Sequence, residues 1–220
     1  MIYETKVLTR SPVPQASAGQ DKVKWRHYSG EYKDHFSTKA TWEQLRTVNP
    51  KVWWHKIVWF SHAIPRHSFI TWPAIRDRLS TRARMRTWGL NHACLLCGEV
   101  DETRDHLFMA SPYSFTIWNW LCCGLPGRRI PRLGDHSSVH YSAEHWDDSL
   151  LHRLALQAIV YGIWRERNNR RHQQPPRSVL LLTRTIDKDM QNRLQAIYHG
   201  DESRLTEVTQ RWSRSTSIPS

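Results

Sequence analysis

In the segment CLLCGEVDETRDHLFMASPYS, Cys94 and Cys97 are separated by two residues, and His106 follows the second cysteine after eight more. Two thiolates at C-x2-C spacing can grip one tetrahedral ion from a tight turn, and an imidazole nitrogen complements them, so these residue types suit structural zinc. Gly98 permits the bend after the second cysteine. The set is one ligand short. A fourth cysteine would complete C-x2-C-x8-H-x4-C at position 111, where the chain has Ser111, and a serine hydroxyl, which keeps its proton near neutral pH, is a poor ligand. His92, Cys122, Cys123, an acidic side chain or water could stand in. A zinc with three protein ligands and a water would formally resemble a catalytic site, with Glu102 or Asp105 as a base. A weakened structural site needs fewer assumptions.

A second chemistry is spread over the arginines. Arg76, Arg78, Arg82, Arg84 and Arg86 accompany only Asp77, and the run RERNNRR sets Arg165, Arg167, Arg170 and Arg171 against Glu166 alone. The whole chain has 32 Lys and Arg against 20 Asp and Glu, a net charge of +12. Arginines along helices neutralise phosphates and release counterions, so the expected partner is RNA or DNA, held weakly and without sequence preference. An anionic membrane would feel the same charge, but no stretch approaches the ~18 apolar residues of a membrane span. Trp88, Trp118 and Trp164 could stack on bases, although tryptophans at helical spacing belong mainly to cores.

No catalytic residues are expected. The adjacent aspartates Asp147 and Asp148 fall at a helix start, where acids complement the helix dipole, and neither a P-loop lysine motif nor G-x-S-x-G occurs. Four cysteines, two of them neighbours at Cys122 and Cys123, do not form a secreted disulfide framework. With no apolar leader at the N-terminus, the expected location is nuclear or cytoplasmic rather than secreted.

The elements that must position these residues read as mainly α. A small N-terminal β-hairpin is expected around Val23, Trp25 and His27, turning at Ser29-Gly30, and then a short helix carrying Trp42, Leu45 and Val48. Pro65 starts a helix whose apolar stripe would be Phe69, Trp72, Ile75 and Leu79, interrupted at Pro73. Short helices flank an irregular zinc-type loop, the second of them bearing Phe115, Trp118 and Cys122. Two long helices follow. The first, from about 148 to 171, buries Leu151, Leu154, Ala158, Ile159, Gly162 and Ile163; the second, 178 to 198, carries Val179, Leu182, Ile186, Met190, Leu194 and Ile197 at spacings of 3, 4, 4, 4 and 3. The expected organisation is a disordered tail over 1–20, a zinc-type domain over 21–123, a linker over 124–147, a helical hairpin over 148–199 and a frayed tail over 200–220.

Together VKWRHYSGEYK, TWEQLR, VWWHKIVWFSHAIPRHSFITW, DRLSTRARMRTWGL, CLLCGEVDETRDHLF and SPYSFTIW resemble the zinc-binding domain that follows the polymerase in plant non-LTR (LINE-type) retrotransposon reverse transcriptases. IVYGIWRERNNRRH is similar to the stretch after it. The resemblance implies zinc on Cys94, Cys97 and His106, with Ser111 where the family has its last cysteine. It also implies a reverse transcriptase in cis, whose motifs this sequence lacks, and a non-catalytic role in holding RNA or target DNA. Pro73 in place of a helix former, and Arg82-Ala83 in place of Gly-Asp, are departures that fit drift. The competing expectation is a small basic helical interaction protein, or a decayed fragment that retains neither metal nor nucleic-acid binding.

Overall fold

The computed structural model describes residues 22–27, 29–86, 89, 93–99, 101–125, 133 and 146–219. The expected tail over 1–20 and most of the expected linker lie outside them. The fold is mainly α, with one small hairpin, and the chain divides into two compact units after Pro50.

In the first unit, β1 (Trp25–Arg26) pairs antiparallel with β2 (Tyr32–Lys33), Trp25 opposite Lys33. The turn closes where Ser29-Gly30 predicts it, with Gly30 at φ +83° and its N–H donating to the His27 carbonyl at 2.9 Å. Helix α1 (Thr38–Leu45) starts at Ser37, whose hydroxyl accepts the Ala40 N–H at 3.2 Å. Its expected apolar stripe is not buried. Trp42 and Leu45 are exposed, Val48 lies past the helix end, and the buried residue is Ala40. The helix has only two turns and Arg46 is already extended, so Val48 never reaches the helical face that its spacing implied.

The second unit contains α2 (His55–Val58), α3 (Pro65–Ile75), α4 (Arg82–Met85), a π-helical turn (His106–Ala110), α5 (Pro112–Cys122), α6 (Trp146–Arg171), α7 (Val179–Ile197) and α8 (Glu202–Ser215). Helix α3 packs on α6, α5 on α7, α6 on α7, and α7 on α8. Most of each stripe expected on the two long helices is buried: Leu151, Leu154, Ala158, Ile159 and Ile163 on α6, and Leu182, Ile186, Met190 and Leu194 on α7, whereas Val179 and Ile197 at the ends of α7 are half-buried. Gly162 lets these helices approach, because a Cβ there would lie 2.8 Å from Ile186 Cδ1. The Ser178 hydroxyl caps α7 by accepting the Leu181 N–H at 3.2 Å.

Helix α3 corrects a second expectation. Pro73 sits inside it without ending it. The carbonyl that a proline leaves unpaired belongs to the residue four earlier, here the exposed Phe69, where water can take it. The buried face is His67, Ser68, Thr71, Ala74 and Ile75, while Phe69 and Trp72 point outward; Leu79 is buried but lies beyond the helix. The cause is the surface that α6 offers. Gln157 donates to the Ile57 and Val58 carbonyls at 2.8 and 2.9 Å and meets Ser68 Oγ at 3.4 Å, and Tyr161 stacks on His67 with ring centroids 4.4 Å apart. Small and polar side chains fit that surface; large aromatic ones do not.

Burial, with Arg66 and Arg193 nearby, holds His67 down at about 4. The unfolded chain takes up that proton near 6.5 and the fold resists it until about 4. His67 therefore withdraws stability as pH falls through that window. Between pH 7 and pH 4.5 the natural chain should lose about 2–3 kcal/mol more than His67→Phe, read from urea midpoints; equal losses would remove His67 as the cause.

The expected frayed tail is instead helix α8. Asp201 caps it by accepting the Arg204 N–H at 3.1 Å, and Val208, Trp212 and Ser215 are buried. Trp212 Nε1 donates to Asp187 Oδ1 at 2.7 Å. Arg204 pairs with Asp147 and Arg211 with Asp148, both at 3.3 Å, so the aspartates at the start of α6 anchor α8. Past α8, Ser217 N–H donates to the Trp120 carbonyl at 2.7 Å and Gly124 N–H to that of Ser215 at 3.2 Å. Polar neighbours hide the Leu205, Val208 and Trp212 stripe, which does have helical spacing.

Candidate metal centre and basic surface

The loop after Ala93 is built by its own backbone. Cys94 N–H donates to the Glu99 carbonyl at 2.6 Å, Gly98 N–H returns to the Cys94 carbonyl at 2.9 Å, and Gly98 takes φ +82°, a left-handed conformation that suits glycine. This folds Cys94 and Cys97 to one side. The π-helical turn presents His106 to them, its N–H held by Thr103 Oγ1 at 3.1 Å. The ligand atoms of Cys94, Cys97 and His106 all lie within 4.8 Å of one another, and Cys97 Sγ is 3.2 Å from His106 Nε2. An ion with zinc's bond lengths needs donors roughly 3.5–3.8 Å apart, so small movements would close these three around it. On the far side of the ring, Glu99 Oε2 lies 3.7 Å from His106 Nδ1, the place from which a carboxylate orients a metal-binding histidine. Burial pushes the Cys94 thiol up to about 11, so binding an ion would displace its proton.

Ser111 ends the π turn, its N–H donating to the His106 carbonyl at 2.7 Å. That i→i+5 bond places residue 111 one turn beyond the histidine. Ser111 is fully buried and its hydroxyl finds no hydrogen-bond partner among the described residues, as is also true of Thr71 and Thr81. The other candidates for the fourth position fare worse. Cys123 Sγ reaches Ser215 O and Ser217 Oγ, both at 3.4 Å, and burial pushes Cys122 up to about 12. Among the described residues neither cysteine joins the cluster; His92 lies outside those residues. As bases, Glu102 is fully buried against Arg167 and Asp105 pairs with Arg104 at 2.8 Å. Residues 36–118 match a family model described as zinc-binding in reverse transcriptase. The match includes all three ligand candidates and supports a reverse transcriptase zinc-binding domain over that stretch. No curated protein and no solved structure matches the chain.

The arginines expected to meet nucleic acid divide in two. Arg76, Arg78, Arg84, Arg86, Arg165 and Arg171 are exposed, although Arg86 pairs with Asp101 and Arg84 donates to the Asp77 carbonyl at 2.7 Å. Arg167 must be withdrawn from the surface set. It is fully buried, with Nε and Nη2 on Glu102 Oε1 at 3.0 and 2.8 Å and Nη2 on the Ser80 carbonyl at 3.1 Å. Arg170 is largely committed too, pairing with Glu166 at 2.9 Å and donating to the Leu95 and Leu96 carbonyls, each at 3.1 Å. Arg82 donates to the Ala93 carbonyl. These inward cations hold the loop that carries Cys94 and Cys97. Helical period carries the signal: Arg167 and Arg170 lie four and seven residues after the buried Ile163, on the core face. Trp118 and Trp164, considered for base stacking, are buried; the Trp88 side chain lies outside the described residues.

Proposed function

We propose that this chain is a non-catalytic zinc-binding module, derived from the end of a plant LINE-type retrotransposon polyprotein. It holds RNA or DNA weakly through its exposed cations, as its ancestor did beside a reverse transcriptase in cis. The observation that carries the reading is the convergence of Cys94, Cys97 and His106 within a segment that matches a reverse transcriptase zinc-binding family. Zinc there would cross-link the loop to the π turn, a structural task. The acids weighed as catalytic bases or metal ligands are engaged: Glu102, Asp105, Asp147 and Asp148 all face arginines. No helix among the described residues is long and apolar enough to cross a membrane.

The orphaned Ser111 hydroxyl favours one variation, a module whose zinc affinity has been weakened. Ser111→Cys tests both versions. Four ligands share roughly 10–16 kcal/mol in structural sites, so a restored thiolate should tighten zinc on the order of 100-fold. It should also raise the zinc content of the purified protein and its melting temperature. Equal content and equal melting would remove Ser111 from the site. Absence of zinc from both proteins would favour a decayed fragment.

A further inference from the structure

The outward face of α3 is aromatic where a soluble helix is ordinarily polar. Trp59 just after α2, and Phe69 and Trp72 one turn apart on α3, are 45%, 60% and 36% exposed. They gather into one patch, with Trp59 and Phe69 ring centroids 5.6 Å apart at 80° and Trp59 and Trp72 6.5 Å apart at 53°. The Arg76 guanidinium lies over Trp72, 5.7 Å from the ring centroid. Residues 44–76 contain no Asp or Glu, and Lys51, Lys56, Arg66 and Arg76, all exposed, fall within that stretch, which Asp77 ends.

We propose that Trp59, Phe69 and Trp72 with Arg76 form a binding site for unpaired bases of single-stranded RNA or DNA. The proposal rests on the nucleic-acid reading above and centres it on the aromatic face of α3. Open aromatic faces can be used only by bases that are not already stacked in a duplex, and every base has such a face, so the site accepts a strand of any sequence. Arg76, beside Trp72, supplies phosphate attraction that a purely apolar docking face would lack.

Fluorescence anisotropy of a labelled 20-nucleotide oligo(dT), and of a duplex of equal length, tests this on the full zinc-loaded chain. Phe69→Ala and Trp72→Ala should each weaken oligo(dT) binding about 5- to 100-fold. The salt dependence should keep its slope, because no cation is lost. Trp72→Tyr, which retains a ring, should bind nearly as the natural chain does. The highly exposed Phe69 provides a variant whose folding is not at issue. Oligo(dT) binding unchanged in both alanine variants would overturn the site while leaving the nucleic-acid reading intact. Duplex binding as tight as single-strand binding would also overturn it, as would concentration-dependent dimerisation abolished by Phe69→Ala, which would show the patch to be covered by a second copy. If the natural chain binds neither probe, the nucleic-acid reading fails with it.

Discussion

Arg167→Ala is expected to destabilise the protein by about 3–5 kcal/mol, because it leaves a fully buried carboxylate without its cation. Glu102 and Arg167 have no exposed side-chain surface. Glu102 accepts, besides the guanidinium, the Arg82 N–H at 3.1 Å and the Leu95 N–H at 3.2 Å. One carboxylate therefore ties the end of α6, the start of α4 and the backbone between the two candidate zinc ligands. Urea unfolding of Arg167→Ala, Glu102→Ala and the double variant makes a cycle that isolates the pair. The double loss should be clearly smaller than the sum of the single ones. A loss below about 1 kcal/mol for Arg167→Ala would mean that the pair is solvated in solution. Zinc affinity should fall in the same variants, since the loop that holds Cys94 and Cys97 loses its anchor.

The second large effect belongs to α8. Trp212 is fully buried and satisfies its indole N–H on Asp187. Trp212→Ala should cost about 3–5 kcal/mol through the cavity it opens, a fall in melting temperature of roughly 6–20 °C for a chain of this size. An unchanged melting temperature would show that α8 does not belong to the cooperative unit.

How much of this is legible in the chain follows from how local each determinant is. The zinc-type loop is legible because its spacing, its glycine and its histidine lie within thirteen residues, Cys94 to His106. Helix α7 is legible because its stripe is regular and Ser178 marks its start. The outward turn of Phe69 and Trp72 is not, since it depends on Gln157 and Tyr161 nearly ninety residues later. Hydrophobicity alone assigns those aromatics to the core, and the polar side chains that α6 turns toward α3 reverse the assignment. Charge composition likewise cannot separate Arg165 from Arg167. Position on the helix relative to Ile163 can, and it distinguishes a cation that meets solvent from one that replaces it.

Helix α5 closes the segment that matches the zinc-binding family, and its buried Ile117 and Leu121 belong to the same core as Leu194 and Trp212. The boundary of the family match, at residue 118, therefore runs through a core rather than between two domains. A gene truncated anywhere between residues 124 and 145 would keep every candidate ligand, yet lose Arg167, Arg170 and the helices that cover α5. For this chain, a nonsense mutation well downstream of the last candidate ligand should weaken the candidate metal site although every cysteine is kept.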